Sequence, residues 1–275
     1  MFKSFSYFDN GEVLALNLLS KYSTKKLEPA IYELRSQYVQ GQGVVHSLSN
    51  DLDLKVHEPF RSASINTTLQ FIDKFYKPAT KALFKKLNYV YKAGLLFHGK
   101  QGGGKTNLIL YIAQKLVTEK KAIVFVIPDR DSFYYGWDFI ETLRKNHTNP
   151  IVVVYDECEK FFEEFEEIAK TRLDGVESID NMLCLFATNY IDKIPESITE
   201  RPSRIKYTLE INGVEDIEEI IEILKRNYSQ INIERDFRKE AKALVGATVD
   251  DIKNYIINDL LSIEANTSPK KLGFR

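Results

Sequence analysis

Residues 94–106, GLLFHGKQGGGKT, constrain the fold of this chain more than any other stretch. A short apolar run leads into a glycine-rich turn, and a segment of helical character follows it. The spacing G-x-x-x-x-G-K-[ST] is satisfied by Gly99, Gly104, Lys105 and Thr106. Backbone N–H groups can surround a phosphate closely only where no Cβ intervenes, which explains the glycines. The motif therefore predicts a nucleotide-binding loop between a strand and a helix, and a glycine-rich hairpin is the alternative.

The groups in this loop have distinct predicted roles toward a bound nucleotide. Backbone amides of the turn would contact the phosphates, and the Lys105 ammonium would supply a positive charge to the β- and γ-phosphates. The Thr106 hydroxyl would ligate Mg²⁺, and the N-terminus of a helix over residues 107–116 would face the anion. The predicted nucleotide-binding residues are Gly99, Gly102, Gly103, Gly104, Lys105, Thr106 and Asn107.

Polar residues follow two of the strand-like runs beyond the loop. The runs 122–127, 151–155 and 182–188 alternate with segments of helix length, which predicts a parallel sheet with crossover helices. Functional residues in such sheets gather at the carboxyl ends of the strands. The polar residues at these ends are Asp156, Glu157 and Asn189.

Each of these three residues has a predicted role and an alternative. Asp156 would hold Mg²⁺ and Glu157 would polarise an attacking water, whereas an acidic helix cap is the other interpretation. Asn189 would hold the same water, although asparagine is also common as the residue that ends a strand. Arg201 and Arg204, on a proline-bounded segment, would stabilise charge on a transferring phosphoryl group. A pair of solvated charges is the interpretation that the residues alone favour for the arginines.

Composition limits the classes of protein to consider. The chain has 275 residues and a formal net charge of −1, so no global basic field favours nucleic acid. A local basic patch exists at Lys81, Lys85, Lys86 and Lys92, for which a solvated helix face is the alternative. No signal peptide or apolar run of membrane-spanning length is found, so we expect a cytoplasmic protein without a membrane span. Two cysteines in apolar runs predict buried free thiols, at Cys158 and Cys184.

Apolar patterns divide the chain into four predicted segments. The first is expected to be a small α/β or helical module for a partner or substrate, and the second an α/β core. A helical lid and a polar, mobile tail follow. The predicted bounds are 1–60, 61–212, 213–265 and 266–275. Within the first segment, we predict helices over 13–22 and 27–39 and strands over 44–48 and 52–56.

The order of four segments resembles a known family. GKQGGGKT, IVVVYDE, LCLFATN and ERPSR are similar in order to the core of an AAA+ ATPase, a P-loop NTPase fold, and to the AAA clade proper within it. The group of mitochondrial AAA ATPases that translocate the Rieske protein is the most similar pattern, although its membrane span and targeting segment are absent. The resemblance covers roughly residues 65–262. The loop interior KQGG departs from the family, which usually has two prolines and a threonine there.

The resemblance implies roles for the residues singled out above. It makes Lys105 and Thr106 the Walker A pair, Asp156 and Glu157 the Walker B pair, and Asn189 sensor 1. Arg201 and Arg204 match arginines that act on the nucleotide of the neighbouring subunit. Gly246 and Ala247 match a lid position that lacks a sensor 2 arginine. The segment with Phe133, Tyr134, Tyr135 and Trp137 falls where the family has its pore loop, and core packing or an oligomer contact is the alternative.

The implied function is hydrolysis of ATP with Mg²⁺ as cofactor. The family forms homo-oligomeric rings, usually hexamers, that remodel or translocate a protein substrate. One alternative is a motor or loader that acts on DNA. Another is a nucleotide-gated scaffold with low turnover.

Overall fold

The computed structural model describes most of the chain. Side chains are described from residue 27 to residue 262. The described ranges are 4–8, 12–14, 27–41, 43–50, 56–174, 178–231, 233 and 235–267.

The described residues form nine strands and nine α-helices. The strands are β1 (Ser4–Phe8), β2 (Glu12–Leu14), β3 (Ile31–Val39), β4 (Gly43–Ser49), β5 (Lys92–His98), β6 (Ile123–Val126), β7 (Ile151–Tyr155), β8 (Met182–Thr188) and β9 (Tyr207–Glu210). The helices are α1 (Ala63–Phe75), α2 (Pro78–Lys86), α3 (Lys105–Lys120), α4 (Arg130–Asn146), α5 (Glu159–Asp174), α6 (Glu196–Thr199), α7 (Ile217–Ser229), α8 (Arg238–Ala243) and α9 (Val249–Thr267). A short 3₁₀ turn lies at Ile191–Lys193.

All the strands belong to one sheet in the order β2-β1-β4-β3-β6-β7-β8-β5-β9. Along this order, the pairing is antiparallel from β2 to β3 and parallel from β3 to β9. One apolar core lies between the sheet and helices α4 and α5, and a second lies between the opposite face and α1, α3 and the C-terminal helices. This mostly parallel sheet, flanked by helices, confirms the predicted α/β fold of a P-loop NTPase.

The central strands are apolar on both faces because helices cover both faces of the sheet. Every residue of β7 and of β8 is buried. Cys158 and Cys184 are buried free thiols, as predicted. Burial raises the pKa of the Cys184 thiol to about 12, which leaves this group protonated and unreactive at neutral pH.

The predicted helix over residues 27–39 is wrong. Ile31–Val39 forms β3, which pairs with β4 on one side and with β6 on the other. Burial follows a period of two over most of the strand, because Tyr32, Leu34 and Ser36 are buried whereas Arg35 and Gln37, on the opposite face, are exposed. The three- and four-residue spacing of apolar residues was therefore coincidental.

Other predictions for the N-terminal segment have mixed outcomes. The strand predicted over 44–48 is confirmed by β4. The predictions for 13–22 and 52–56 lie mostly outside the described residues. Because β3 pairs with β6, the N-terminal strands extend the sheet of the core. The division between module and core at residue 60 stays a prediction.

The pore-loop interpretation of residues 133–137 is wrong for two of the four aromatic side chains, Phe133 and Trp137. These residues lie in the first turns of α4, and Phe133 and Trp137 are buried. The Arg172 guanidinium lies over both rings, 5.6 and 5.5 Å from their centroids. Gly136 lies against β3, where an added Cβ would be 3.2 Å from a Leu34 methyl group. Phe133 and Trp137 therefore belong to the core, whereas Tyr134 is 43% exposed.

Helices precede the glycine-rich loop and follow the last strand, and the predicted helical character of residues 213–265 agrees with the structure. Proline 78 separates α1 from α2, and the Ser62 hydroxyl caps α1 by accepting a hydrogen bond from the Ile65 amide. Helices α7, α8 and α9 occupy the predicted lid. Among the described residues, no helix has both the length and the apolar character needed to cross a bilayer.

Candidate nucleotide site

The glycine-rich loop joins β5 to α3 and has a backbone that favours glycine. The φ angles of Gly99, Gly102 and Gly104 are +138°, +77° and +92°. The surroundings are as restrictive as the backbone, since a Cβ on Gly99 would lie 2.3 Å from the Ile211 carbonyl oxygen. A side chain at any of these three positions would strain the loop. These backbone angles, and at Gly99 the close carbonyl oxygen, explain why the loop has glycine at these three positions.

Lys105 begins α3 and folds back on the loop. Its side-chain nitrogen donates to the carbonyl oxygens of Gly99 and Lys100, both at 2.8 Å. Burial lowers the pKa of the Lys105 ammonium, and the charges of Asp156 and Glu159 oppose this effect. The loop therefore holds a partly desolvated cation, and such a cation attracts an anion more strongly than it would in bulk water.

Thr106 and Asp156 bring two oxygen atoms together at the carboxyl end of β7. The Thr106 hydroxyl donates to Asp156 Oδ2 at 2.7 Å. The other carboxylate oxygen of Asp156 accepts from the Glu157 amide at 3.0 Å. Mg²⁺ prefers oxygen ligands and usually takes only one or two from protein side chains. The hydroxyl and the carboxylate therefore fit the predicted metal.

Glu157 and Asn189 lie at the neighbouring strand ends and line the same cleft. Glu157 has a φ of +49°, a left-handed conformation that is uncommon for a residue with a side chain. Its carboxylate is half exposed and pairs with the Lys160 ammonium. Asn189 follows β8, which pairs with both β5 and β7. The sheet order thus places Glu157 and Asn189, the two residues predicted to act on the attacking water, beside the glycine loop.

A cleft of about 1060 Å³ contains these groups. The sheet contributes one wall of it, the lid contributes another, and a segment before α1 contributes a third. The lining residues include His57, Glu58, Pro59, Phe60, Gly102, Gly104, Lys105, Thr106, Asn107, Asp156, Glu157, Asn189, Glu219, Arg226, Val249 and Asp250. Its size and its mixture of polar and apolar walls are typical of a small-molecule site.

Residues 95–212 match the family model described as "ATPase family associated with various cellular activities (AAA)". Over these residues the chain is similar to an AAA ATPase domain. The match begins in β5 and ends just after β9, so it includes the loop and both strand ends that carry polar residues.

Two curated relatives are similar to a larger part of the chain. One, from Bifidobacterium adolescentis, is named "AAA ATPase forming ring-shaped complexes" and is 26% identical over 199 residues. The other, "Protein CdcH" from Halobacterium salinarum, is 26% identical over 193 residues. Each alignment covers 62% of this chain, but only 38% and 25% of the two relatives respectively. The more specific resemblance to the Rieske-translocating group stays a prediction.

A strap formed by residues 57–60 crosses the start of α3. Asn107 Oδ1 accepts from the His57 amide at 3.0 Å, and Asn107 Nδ2 donates to the His57 carbonyl oxygen at 2.9 Å. Both polar atoms of the Asn107 side chain are therefore occupied by the strap. Direct contact of this side chain with a nucleotide stays a prediction. The sequence pattern missed the strap, because its residues belong to no recognisable motif.

The lid contacts the loop through the start of α9. The Asp250 amide donates to the Gly102 carbonyl oxygen at 3.3 Å, and a Cβ on Gly102 would meet the Asp250 side chain. The turn before α9 contains Gly246, with a φ of +79°, and its amide donates to the Val214 carbonyl oxygen. The predicted Gly246–Ala247 position therefore lies in the turn that leads the lid helix to the loop.

The two predicted arginines do not line the cleft of their own subunit. Arg204 is 8% exposed, and it donates to Asp174 at 3.1 Å and to the Ser197 carbonyl oxygen at 2.5 Å. Arg201 is 63% exposed and lies 3.6 Å from Asp174. Burial alone would raise the pKa of the Asp174 carboxyl, but the Ser203 hydroxyl and the arginine charges hold it below its usual value. A role for either arginine at a neighbouring nucleotide stays a prediction.

Replacing Asn107 with alanine is expected to weaken nucleotide binding. The variant removes both hydrogen bonds to the strap, so that the strap no longer has a fixed position at the cleft. Two such bonds correspond to roughly a tenfold increase in the dissociation constant of ADP, measurable by calorimetry. Asn146→Ala, at the exposed end of α4, is the matched control. Unchanged ADP affinity in Asn107→Ala would show that the strap does not contribute to the site.

Proposed function

We propose that this protein is a Mg²⁺-dependent ATPase that assembles into a ring and uses hydrolysis to remodel or translocate a protein substrate. The carrying observation is the 2.7 Å contact between the Thr106 hydroxyl and the Asp156 carboxylate, beside the glycine loop. This contact joins the glycine-rich loop, which the family uses to bind phosphate, to the end of β7, which the family uses to bind the metal. The AAA family match over residues 95–212 supports the same reaction class.

Each of the polar residues in the cleft has a separate role in the proposed hydrolysis of ATP. Lys105 contributes positive charge to the transferring phosphoryl group, and backbone amides of the loop contribute dipoles. Thr106 and Asp156 would hold Mg²⁺, which would supply further neutralisation of the phosphate charge. Glu157 accepts a proton from the attacking water as the new bond forms, and Asn189 orients that water through its side-chain amide. Catalysis is then mainly positioning and electrostatics.

A neighbouring subunit completes the site in this proposal. Arg201 is exposed and lies outside the cleft of its own chain, so it is free to reach another subunit. Arg204 has the supporting role of holding Asp174, which in turn fixes the position of the segment that carries Arg201. The name of the relative from Bifidobacterium adolescentis supports a ring, and the resemblance to the AAA clade supports a hexamer.

The identity of the substrate is the least constrained part of the proposal. A protein substrate follows from the resemblance to the AAA clade, and the cytoplasmic location is proposed as the sequence analysis predicts it. Burial of Phe133 and Trp137 removes these two side chains as candidates for gripping a threaded polypeptide. A DNA motor and a low-turnover scaffold are the competing functions.

Turnover is expected to depend on both metal and assembly. Phosphate release from ATP should fall to background when EDTA removes Mg²⁺ and return when Mg²⁺ is restored, because Thr106 and Asp156 need the ion to act. Specific activity should rise with protein concentration in parallel with ring formation, followed by analytical ultracentrifugation. Constant specific activity of a chain that remains monomeric would refute the shared site, and no turnover under any condition would refute the enzyme.

A further inference from the structure

A basic surface lies away from the nucleotide cleft, around α2. From Lys74 to Lys92 the sequence contains six lysines and no acidic residue, within a chain of net charge −1. Lys92 is partly buried and donates to the Ser178 hydroxyl. The other five are exposed, and we call them the lysine row: Lys74, Lys77, Lys81, Lys85 and Lys86. Within the described part of the chain, none of the five forms an ion pair.

The lysine row is regularly spaced and ends at an aromatic ring. Steps of three or four residues separate Lys74, Lys77, Lys81 and Lys85, and a further step of four leads to Tyr89. Lys81 and Lys85 are therefore neighbours on one face of α2. The Tyr89 side chain is 66% exposed, although a tyrosine in a stable fold is normally more buried.

The row borders a second cleft of about 510 Å³. Lys81, Lys85, Tyr89 and Tyr91 line it, and the Lys81 ammonium lies 5.8 Å from the centre of the Tyr91 ring. Asp180 is the acidic residue in this lining, and its carboxylate accepts a hydrogen bond from the Tyr91 amide. The cleft thus combines unpaired ammonium groups with an exposed aromatic face.

We propose that the lysine row and Tyr89 bind single-stranded nucleic acid. The lysines would follow the phosphates, and a base would stack on the Tyr89 ring. Charge complementarity selects a polyanion, and the exposed ring at the end of the row selects unpaired bases over a duplex. The surface lies outside the ATPase site, so it would bring the ATPase to its substrate on a nucleic acid. Binding does not depend on the proposed hydrolysis.

The test uses the full chain without nucleotide and a fluorescein-labelled oligodeoxythymidylate of about 20 nucleotides, longer than one binding groove covers. Fluorescence anisotropy should show binding that weakens with salt, with a slope of about −0.7 per phosphate contacted. The double variant Lys81→Glu/Lys85→Glu should bind at least about tenfold more weakly. Lys239→Glu/Lys242→Glu, which reverses two exposed lysines on α8, is the matched control and should bind normally.

The stacking component is tested separately at the aromatic residue. Tyr89→Ala should weaken binding by about fivefold or more, whereas Tyr89→Phe should retain it, since both rings stack. Absence of binding at low salt, or equal losses in the two lysine variants, would overturn the proposal. Tighter binding to duplex DNA, to heparin or to phosphatidylserine vesicles would also overturn it. Vesicle binding in particular would assign the exposed Leu83 and Leu87 to a membrane surface.

Discussion

Replacing Glu157 with glutamine is expected to leave ATP bound and almost unhydrolysed. Glutamine keeps the shape of the side chain but cannot accept a proton from the attacking water. Loss of a general base typically slows a reaction by about 10²–10⁴-fold, which defines the expected fall in turnover. Phosphate release measures the rate, and calorimetry measures the ATP affinity, which should change by less than about threefold because Lys105 and the loop remain intact.

The control for this variant lies on the next helix. Glu163→Gln makes the same chemical change at an exposed position of α5 outside the cleft, and turnover should be unaffected. Glu157 also pairs with Lys160, so the variant loses one exposed ion pair, worth at most about 1 kcal/mol. Normal turnover in Glu157→Gln would remove this residue from the mechanism. Loss of ATP binding together with turnover would instead indicate a role in nucleotide affinity.

The parts of the site that could be predicted have strict local requirements. Gly99, Gly102 and Gly104 adopt backbone angles that disfavour other residues, so the loop is visible in the sequence. Asp156 follows a strand that is buried on both faces, which produces a continuous β-branched run. In both cases, the physical constraint acts on residues that are adjacent in the sequence, so a short motif is enough to reveal it.

The parts that escaped prediction depend on contacts between distant residues. The strap meets Asn107 across 50 positions of the sequence, and its contacts are with backbone atoms, which place no demand on residue type. The apolar residues of β3 recur at steps of three and four, a spacing that predicts a helix but also occurs by chance in a strand. The pore-loop prediction rests on the position and aromatic character of residues 133–137, while the burial of Phe133 depends on Phe161 and Phe165 of α5.

The structure also separates the two arginines that the sequence treated as a pair. Arg204 is buried and bonded to Asp174, and removal of one partner of such a pair typically costs about 3–5 kcal/mol. A loss of turnover in an Arg204 variant would therefore not distinguish lost stability from a lost catalytic role. Arg201 is mostly exposed, and Asp174 keeps its Arg204 partner when Arg201 is removed. Arg201 is thus the residue at which a role in trans can be tested.

Replacing Arg201 with alanine is expected to reduce turnover by about 10³-fold in an assembled ring, the usual contribution of an arginine finger. Mixing two variants in one ring tests whether Arg201 acts on the nucleotide of a neighbouring subunit. A ring that contains both Arg201→Ala and Glu157→Gln subunits has some complete sites, in which the first supplies Glu157 and its neighbour supplies Arg201. The mixture should therefore hydrolyse ATP faster than either variant alone.

The mixing result distinguishes action in trans from action within one subunit. If Arg201 served its own nucleotide, every subunit in the mixture would lack either the arginine or the glutamate, and mixing would restore nothing. Arg238→Ala, at an exposed arginine of α8, is the control and should keep full turnover. Full turnover of an assembled Arg201→Ala ring would exclude the arginine altogether. Because Arg201 does not line the cleft of its own chain, restored activity on mixing is the expected result.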